Sequence, residues 1–136
     1  AKITGLDSSL DGKKLVVCAQ GVPCGNATKQ LADKLGVTLN PVSEEQKVTD
    51  VRAKVESGEA DAGLVYATDA KAAGDKVEVV EIARANEVVN SYPIAVTVST
   101  KNKEAGQKFI DAVLSEKGQA VLKKYGFSAP TSADKG

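Results

Sequence analysis

The sequence predicts an α/β fold with parallel strand pairing, and three observations carry that prediction. Short Val-, Ile- and Leu-rich runs alternate along the chain with stretches of helical period, the pattern of strand–helix–strand units. Turn residues (Gly, Pro, Asn, Ser) sit at many of the junctions. The chain has 136 residues, 42% of them hydrophobic, which suits one real core but is short for two full lobes.

Each element follows in order. Residues 1–12 (AKITGLDSSLDG) are turn-rich and read as an entry segment. KLVVC, 14–18, reads as a short buried strand. After a loop over 19–25, NATKQLADKLG spaces Ala27, Leu31 and Leu35 by four, with Asn26 expected as N-cap and Gly36 as the helix stop. VTLNPV, 37–42, is a second short strand or extended connection, broken at Pro41. In SEEQKVTDVRAKVESGEAD, Val48, Val51 and Val55 form one helical stripe that Gly58 ends. AGLVY, 62–66, is the next expected strand, followed by a turn or short helix through TDAKAAGD. VEVVEI, 77–82, reads as a further strand, and YPIAVTVS, 92–99, as the strongest strand in the chain.

The last third reads as helical. EAGQKFIDAVL places Ala105, Phe109, Ala112 and Val113 on one face. Ser115 is expected to cap a second helix, EKGQAVLKKY, that Gly126 stops and against which Phe127 packs back. From Thr131 the tail is small and polar and is expected to fray.

Composition excludes several classes. Eighteen basic and eighteen acidic residues cancel, so there is no electrostatic footprint for nucleic acid or an anionic membrane, and any anion site must be built locally. No apolar run approaches the roughly 20 residues of a membrane-spanning helix. With no Met anywhere, the chain is expected to be a processed or excised piece whose signal segment has been removed. Histidine is absent, which removes the commonest general base and transition-metal ligand and makes Ser–His–Asp or Cys–His chemistry impossible. Two cysteines with five residues between them match neither the C-x-x-C redox spacing nor a zinc site, and no nucleotide-binding glycine motif occurs. The reading is a protein that is not an enzyme, with no cofactor and no direct metal ligands.

Binding is better served. In VVCAQGVPCGNATKQL, 16–31, a strand ends in a Gly/Pro loop and feeds a helix, so backbone N–H groups point outward at Cys24, Gly25 and Asn26. A second helix entry lies at Gln46–Lys47–Val48–Thr49, and Tyr66 closes the run AGLVY, where strand ends gather ligands in open α/β sheets. Taken singly, these features equally fit an ordinary capped loop, the first residue of an apolar stripe and a tyrosine at a core rim.

Together they resemble a known family. VVCAQGVPCGNATKQL, VTDVRAKVESGEADAGLVYATDA, SYPIAVT and SEKGQAVLKKYGF are similar, in the same order from about Leu10 to Ala129, to the periplasmic molybdate-binding proteins of molybdate ABC transporters. GEADAGLVYATDA and GQAVLKKYGF occur in several related solute-binding families, and the VP-x-G loop narrows the choice to molybdate and tungstate binders. The resemblance implies a type II periplasmic-binding-protein fold, an extracytoplasmic location (periplasm or cell surface) and a membrane permease as partner. It also implies a tetrahedral oxyanion held between two lobes by neutral donors: the backbone N–H of Cys24, the backbone N–H of Val48 and the hydroxyl of Tyr66. An exported chain would sit in an oxidising compartment, so Cys18 and Cys24 are expected to bridge and brace the loop; two idle thiols are the alternative.

The family pattern also sets the expected organisation. Residues 1–90 would form the ligand-binding lobe, with a mostly parallel sheet flanked by helices. Residues 91–130 would be a return strand and helices of an incomplete second lobe, with a hinge near Tyr92–Pro93, and 131–136 a flexible tail. A family segment bearing Ser or Thr donors has no counterpart here. The chain is therefore expected to behave as a fragment with about half the donors and weakened affinity, or as a domain-swapped oligomer. Two other classes compete. A ligand-sensing domain of a transcriptional regulator can share this fold, but no helix-turn-helix segment or basic charge supports it. A thiol redox protein using Cys18 and Cys24 is disfavoured by their spacing.

Overall fold

A computed structural model describes residues 2–130. They fall into two compact units, meeting in sequence at Asn90–Ser91; the expected frayed tail at 131–136 lies outside the described residues.

The first unit is built on a three-stranded parallel sheet in the order β2–β1–β3. Strand β1 is Leu15–Cys18, β2 is Ser43–Glu45 and β3 is Ala62–Gly63. Val16 pairs with both Ser43 and Gly63, so β1 is the central strand. All four residues of β1 are buried. Because successive side chains point to opposite faces, both faces are covered, the usual state of parallel sheets. The α/β class and parallel pairing expected from the sequence are what the structure shows.

Helix α1 (Pro23–Leu35) follows β1, α2 (Val48–Glu56) follows β2, and α3 (Ala67–Ala73) follows β3. The valine stripe of α2 behaves as its spacing predicts. Val51 is fully buried in a cluster with Val16, Cys18, Cys24 and Ala60, while Val48 and Val55 pack at its edge. Burying a valine stabilises by roughly 1.5–3 kcal/mol, which makes Val51 the chief anchor of α2. Helix α1 ends where expected: Gly36 is left-handed (φ 65°), and its N–H reaches the carbonyls of Ala32 and Asp33. Arg84 ties the later chain back to this end, donating from Nη1 to the Lys34 carbonyl at 3.0 Å.

Four expectations need correction. Helix α1 begins at Pro23 and its N-cap is Val22, not Asn26. Proline presets the helical φ at the first position and has no N–H to lose, so it starts the helix four residues earlier. Asn26 lies inside the first turn, and its Oδ1 accepts from the Gly21 N–H at 3.2 Å. The second strand is displaced from 37–42 to Ser43–Glu45. Pro41 cannot donate to a ladder, and sheet contact begins only with the Val42 N–H bonded to the Leu15 carbonyl at 2.8 Å.

The third and fourth corrections are the runs 77–82 and 92–99, which form no strand. A strand is held by its ladder, and β-propensity alone does not supply a partner. The second unit consists of α4 (Lys103–Leu114), α5 (Glu116–Lys124) and the irregular segments around them, so 92–99 finds no strand within its own unit. Within 91–130 no described residue is buried; Val98 is 97% exposed and Phe109 64%. The local signals in this unit hold: the Ser115 hydroxyl caps α5 by accepting from the Gly118 N–H at 3.2 Å. Phe127 returns to donate its N–H to the Leu122 carbonyl at 3.1 Å, and its ring meets Tyr92 edge-on at 5.7 Å.

One ion pair fastens α2 to the edge of the sheet. Lys54 Nζ donates to Glu45 Oε1 at 2.5 Å and to the Ser43 hydroxyl at 3.2 Å, and that hydroxyl also donates to Glu45. The bond from Lys54 is the main cause holding the Glu45 carboxyl below its ordinary value, followed by that from Ser43; the Lys54 ammonium is raised in turn by Glu45. A carboxyl lowered on folding contributes stability that is present above its unfolded value. That contribution is lost as pH falls below about 4.3 and through the folded value. Glu45→Gln should therefore lower the Tm near neutral pH, and the gap from the parent chain should narrow steadily as the pH falls below about 4.3; a gap independent of pH would refute the assignment.

Candidate functional site

The order β2–β1–β3 makes β1 the point from which the chain winds outward in both directions. In such sheets ligands bind beyond the carboxyl ends of the strands next to this switch. Here those ends are Cys18 on β1 and the segment Leu64–Val65–Tyr66 that continues β3.

Directly beyond Cys18 the chain reverses. Ala19 is buried, and its N–H reaches the Glu45 carbonyl at 2.7 Å. Gly21 takes a positive φ of 96°, after which α1 begins at Pro23. The reversal is tight because of Gly25. A Cβ there would lie 1.8 Å from the Ala19 carbonyl oxygen and 3.0 Å from that of Cys18. Only a residue without a side chain lets the first turn of α1 rest on the end of β1. The obstacle is backbone, which cannot swing away. The same junction is closed covalently: Cys18 and Cys24 form a disulfide, with Cα atoms 5.6 Å apart, inside the range such bridges span. The bridge expected for an exported chain is present, and both half-cystines are buried.

The first turn of α1 thus faces the strand ends with free donors. Pro23 has no N–H, and the first intrahelical bond is given by Asn26 to the Val22 carbonyl at 3.0 Å. The N–H groups of Cys24 and Gly25 precede it. No acidic residue occupies this turn. At α2 the N-cap is Lys47 in extended conformation (φ −131°, ψ 140°), so Val48 is the first helical residue. Asp50 donates its N–H to the Lys47 carbonyl at 3.1 Å, leaving those of Val48 and Thr49 ahead of it. Asp50 is the acidic residue of this turn.

Tyr66 is the N-cap of α3, and its carbonyl accepts from the N–H groups of Asp69 and Ala70 at 3.0 and 3.1 Å. Its hydroxyl accepts a bond from Asn90 Nδ2 at 3.2 Å. Cys24 belongs to the apolar cluster of Val16, Cys18, Val51 and Ala60, while Val48 and Tyr66 are half-buried against it. The structure therefore gathers all four residues singled out from the sequence, Cys18, Cys24, Val48 and Tyr66, around one core. Sequence reasoning missed Asn90, which lies 24 positions from Tyr66 in an otherwise unremarked polar stretch. No local signal could have found it.

The arrangement offers neutral hydrogen-bond donors at two helix N-termini beside a phenol. Among the described residues there is no cluster of three or more His, Cys, Asp or Glu that could hold a metal ion. Nor is any described helix long and apolar enough to cross a membrane.

Residues 1–128 match the family model for bacterial extracellular solute-binding proteins. The molybdate-binding protein ModA of Mycobacterium bovis is 44% identical over 124 residues, covering 91% of this chain and 48% of the relative. ModA of Escherichia coli is 32% identical over 129 residues, 92% of this chain and 50% of the relative. A putative ABC transporter substrate-binding lipoprotein of Bacillus subtilis, YvgL, is 29% identical over 134 residues, 93% and 50% respectively. The chain thus spans about half the length of the curated relatives it matches. No solved structure gives a significant match. On the extent of the family match, this chain belongs to the bacterial extracellular solute-binding protein family.

Proposed function

We propose that the chain supplies part of the ligand site of an extracytoplasmic solute-binding component of an ABC importer. The ligand is a tetrahedral oxyanion, molybdate or tungstate, handed on to a membrane permease. The donors are the N–H of Cys24, the N–H of Val48 and the hydroxyl of Tyr66. One observation carries this reading: Cys24, Val48 and Tyr66, which follow the carboxyl ends of β1, β2 and β3 respectively, pack on one apolar cluster in a chain 44% identical over 124 residues to a molybdate-binding protein. Residues 1–90 act as the ligand-contacting lobe, and 91–130 as a return portion whose partner surface lies in the other half of the fold.

The chemistry fits a dianion. A set made only of donors satisfies the lone pairs of a fully deprotonated oxyanion, whereas a protonated phosphate would bring an O–H with nothing to accept it. The two helix N-termini add partial positive charge without a fixed cation, in keeping with a chain of zero net charge.

The test is a calorimetric panel of molybdate, tungstate, sulfate and phosphate. It is run on this chain alone and on a chimera in which the chain replaces its matched segment in the Mycobacterium bovis protein. The chimera should bind molybdate and tungstate about 100-fold more tightly than sulfate or phosphate, and the chain alone about tenfold or more below the chimera. A preference for sulfate or phosphate would overturn the assignment.

Two substitutions in the chimera test the donors. Val48→Pro removes one N–H at the first helical position, which accepts proline, and extended Lys47 suits the residue before it. Tyr66→Phe removes the hydroxyl. Each deletes a hydrogen bond to a charged ligand worth about 1.5–3 kcal/mol, so molybdate affinity should fall about 10- to 100-fold. Unchanged affinity in both variants would refute the donor set.

A further inference from the structure

We infer that the Cys18–Cys24 disulfide is a positioning device for the anion-facing turn of α1, so that oxyanion affinity depends on its redox state. This inference rests on the oxyanion-binding reading given above and adds a control to it.

The bridge joins the last residue of the central strand to the second residue of α1, the one whose N–H is assigned to the ligand. Its sulfurs lie in the core with Val16, Val51 and Ala60, the same cluster that supports Val48 and Tyr66. Reduction adds two electrons and two protons to the Sγ–Sγ bond and gives two thiols, while the dithiol reductant closes its own disulfide. Non-bonded sulfurs must stand farther apart than bonded ones, and a close-packed core has no spare room for that separation.

The geometry decides which way the turn gives. Inward movement is barred, because Gly25 already rests against the Ala19 carbonyl with no space for even a Cβ. On the other side, the loop is held by lighter restraints. They are the Val22 N–H to the Ala19 carbonyl at 3.5 Å and the Gly21 N–H to Asn26 Oδ1 at 3.2 Å. The first turn of α1 therefore moves away from the strand end and carries the Cys24 N–H out of register with Val48 and Tyr66. Displacing a donor by a fraction of an ångström to an ångström is enough to weaken a hydrogen bond to a fixed ligand. By reciprocity, bound oxyanion favours the bridged form by the same factor that the bridge favours the oxyanion.

The experiment uses the chimera described above, with molybdate as the probe. Calorimetry is run on the oxidised protein, on the protein reduced with dithiothreitol, and on the Cys18→Ala/Cys24→Ala variant. The temperature is one at which circular dichroism shows the oxidised form folded. The reduced protein should bind molybdate about tenfold more weakly and recover on reoxidation. The double variant should match the reduced form and ignore dithiothreitol. In a dithiothreitol redox buffer, saturating molybdate should shift the equilibrium towards the disulfide by the same factor. Equal affinities for oxidised and reduced protein would overturn this inference and leave the site reading standing. A reduced form that has lost its folded signal would also overturn it, because the bridge would then hold the fold and not the turn. An oxidised chimera that fails to bind molybdate would overturn the site reading, and this inference with it.

Discussion

Strand β1 is buried on both faces, and the other elements of the first unit are placed by how they pair with it or cover it. Its two edges set the positions of β2 and β3, and its Val16 and Cys18 face Val51 at the centre of the core. Because it is the central strand, its carboxyl end is also the switch point of the sheet. The same burial that holds the unit together thus sets Cys18, and with it the first turn of α1, on the apolar cluster against which Val48 and Tyr66 also pack.

Gly25 shows how closely fold and site are joined. The close approach of α1 to the end of β1 is a packing fact, a contact of backbone on backbone at which a Cβ would lie 1.8 Å from an oxygen. The same approach is what presents the N–H of Cys24 beside the strand ends. A similar economy holds at α2. Its valine stripe buries Val51 and fixes the helix axis, and the helix start at Val48 then falls at the rim of the same cluster.

Much of this was legible in the sequence because it depends on local rules. The stripe Val48–Val51–Val55, the stop at Gly36 and the cap at Ser115 each arise within a few residues, and each appears in the structure as read. Cys24, Val48 and Tyr66 could be named because a family pattern tied together three signals that were individually weak. What was not legible depends on partners distant in sequence. The runs 77–82 and 92–99 have strand-like composition but no ladder, and composition does not reveal a missing neighbour. The start of α1 differs because Asn26 is a good cap by type, while Pro23 and the bridge at Cys24 fix the helix four residues earlier. The contact of Asn90 with Tyr66 comes from chain folding alone.

The disulfide has a consequence for the order in which the molecule assembles. It closes a ring from Cys18 to Cys24, and that ring persists in the unfolded chain whenever the bridge does. The reversal from strand to helix is then already bent before any sheet exists. What remains is the search over longer separations, bringing residues 43–45 and 62–63 to either side of β1. These pairings close loops of some tens of residues and therefore set the pace of folding. A chain that begins with its tightest turn already made has only the distant partners left to find.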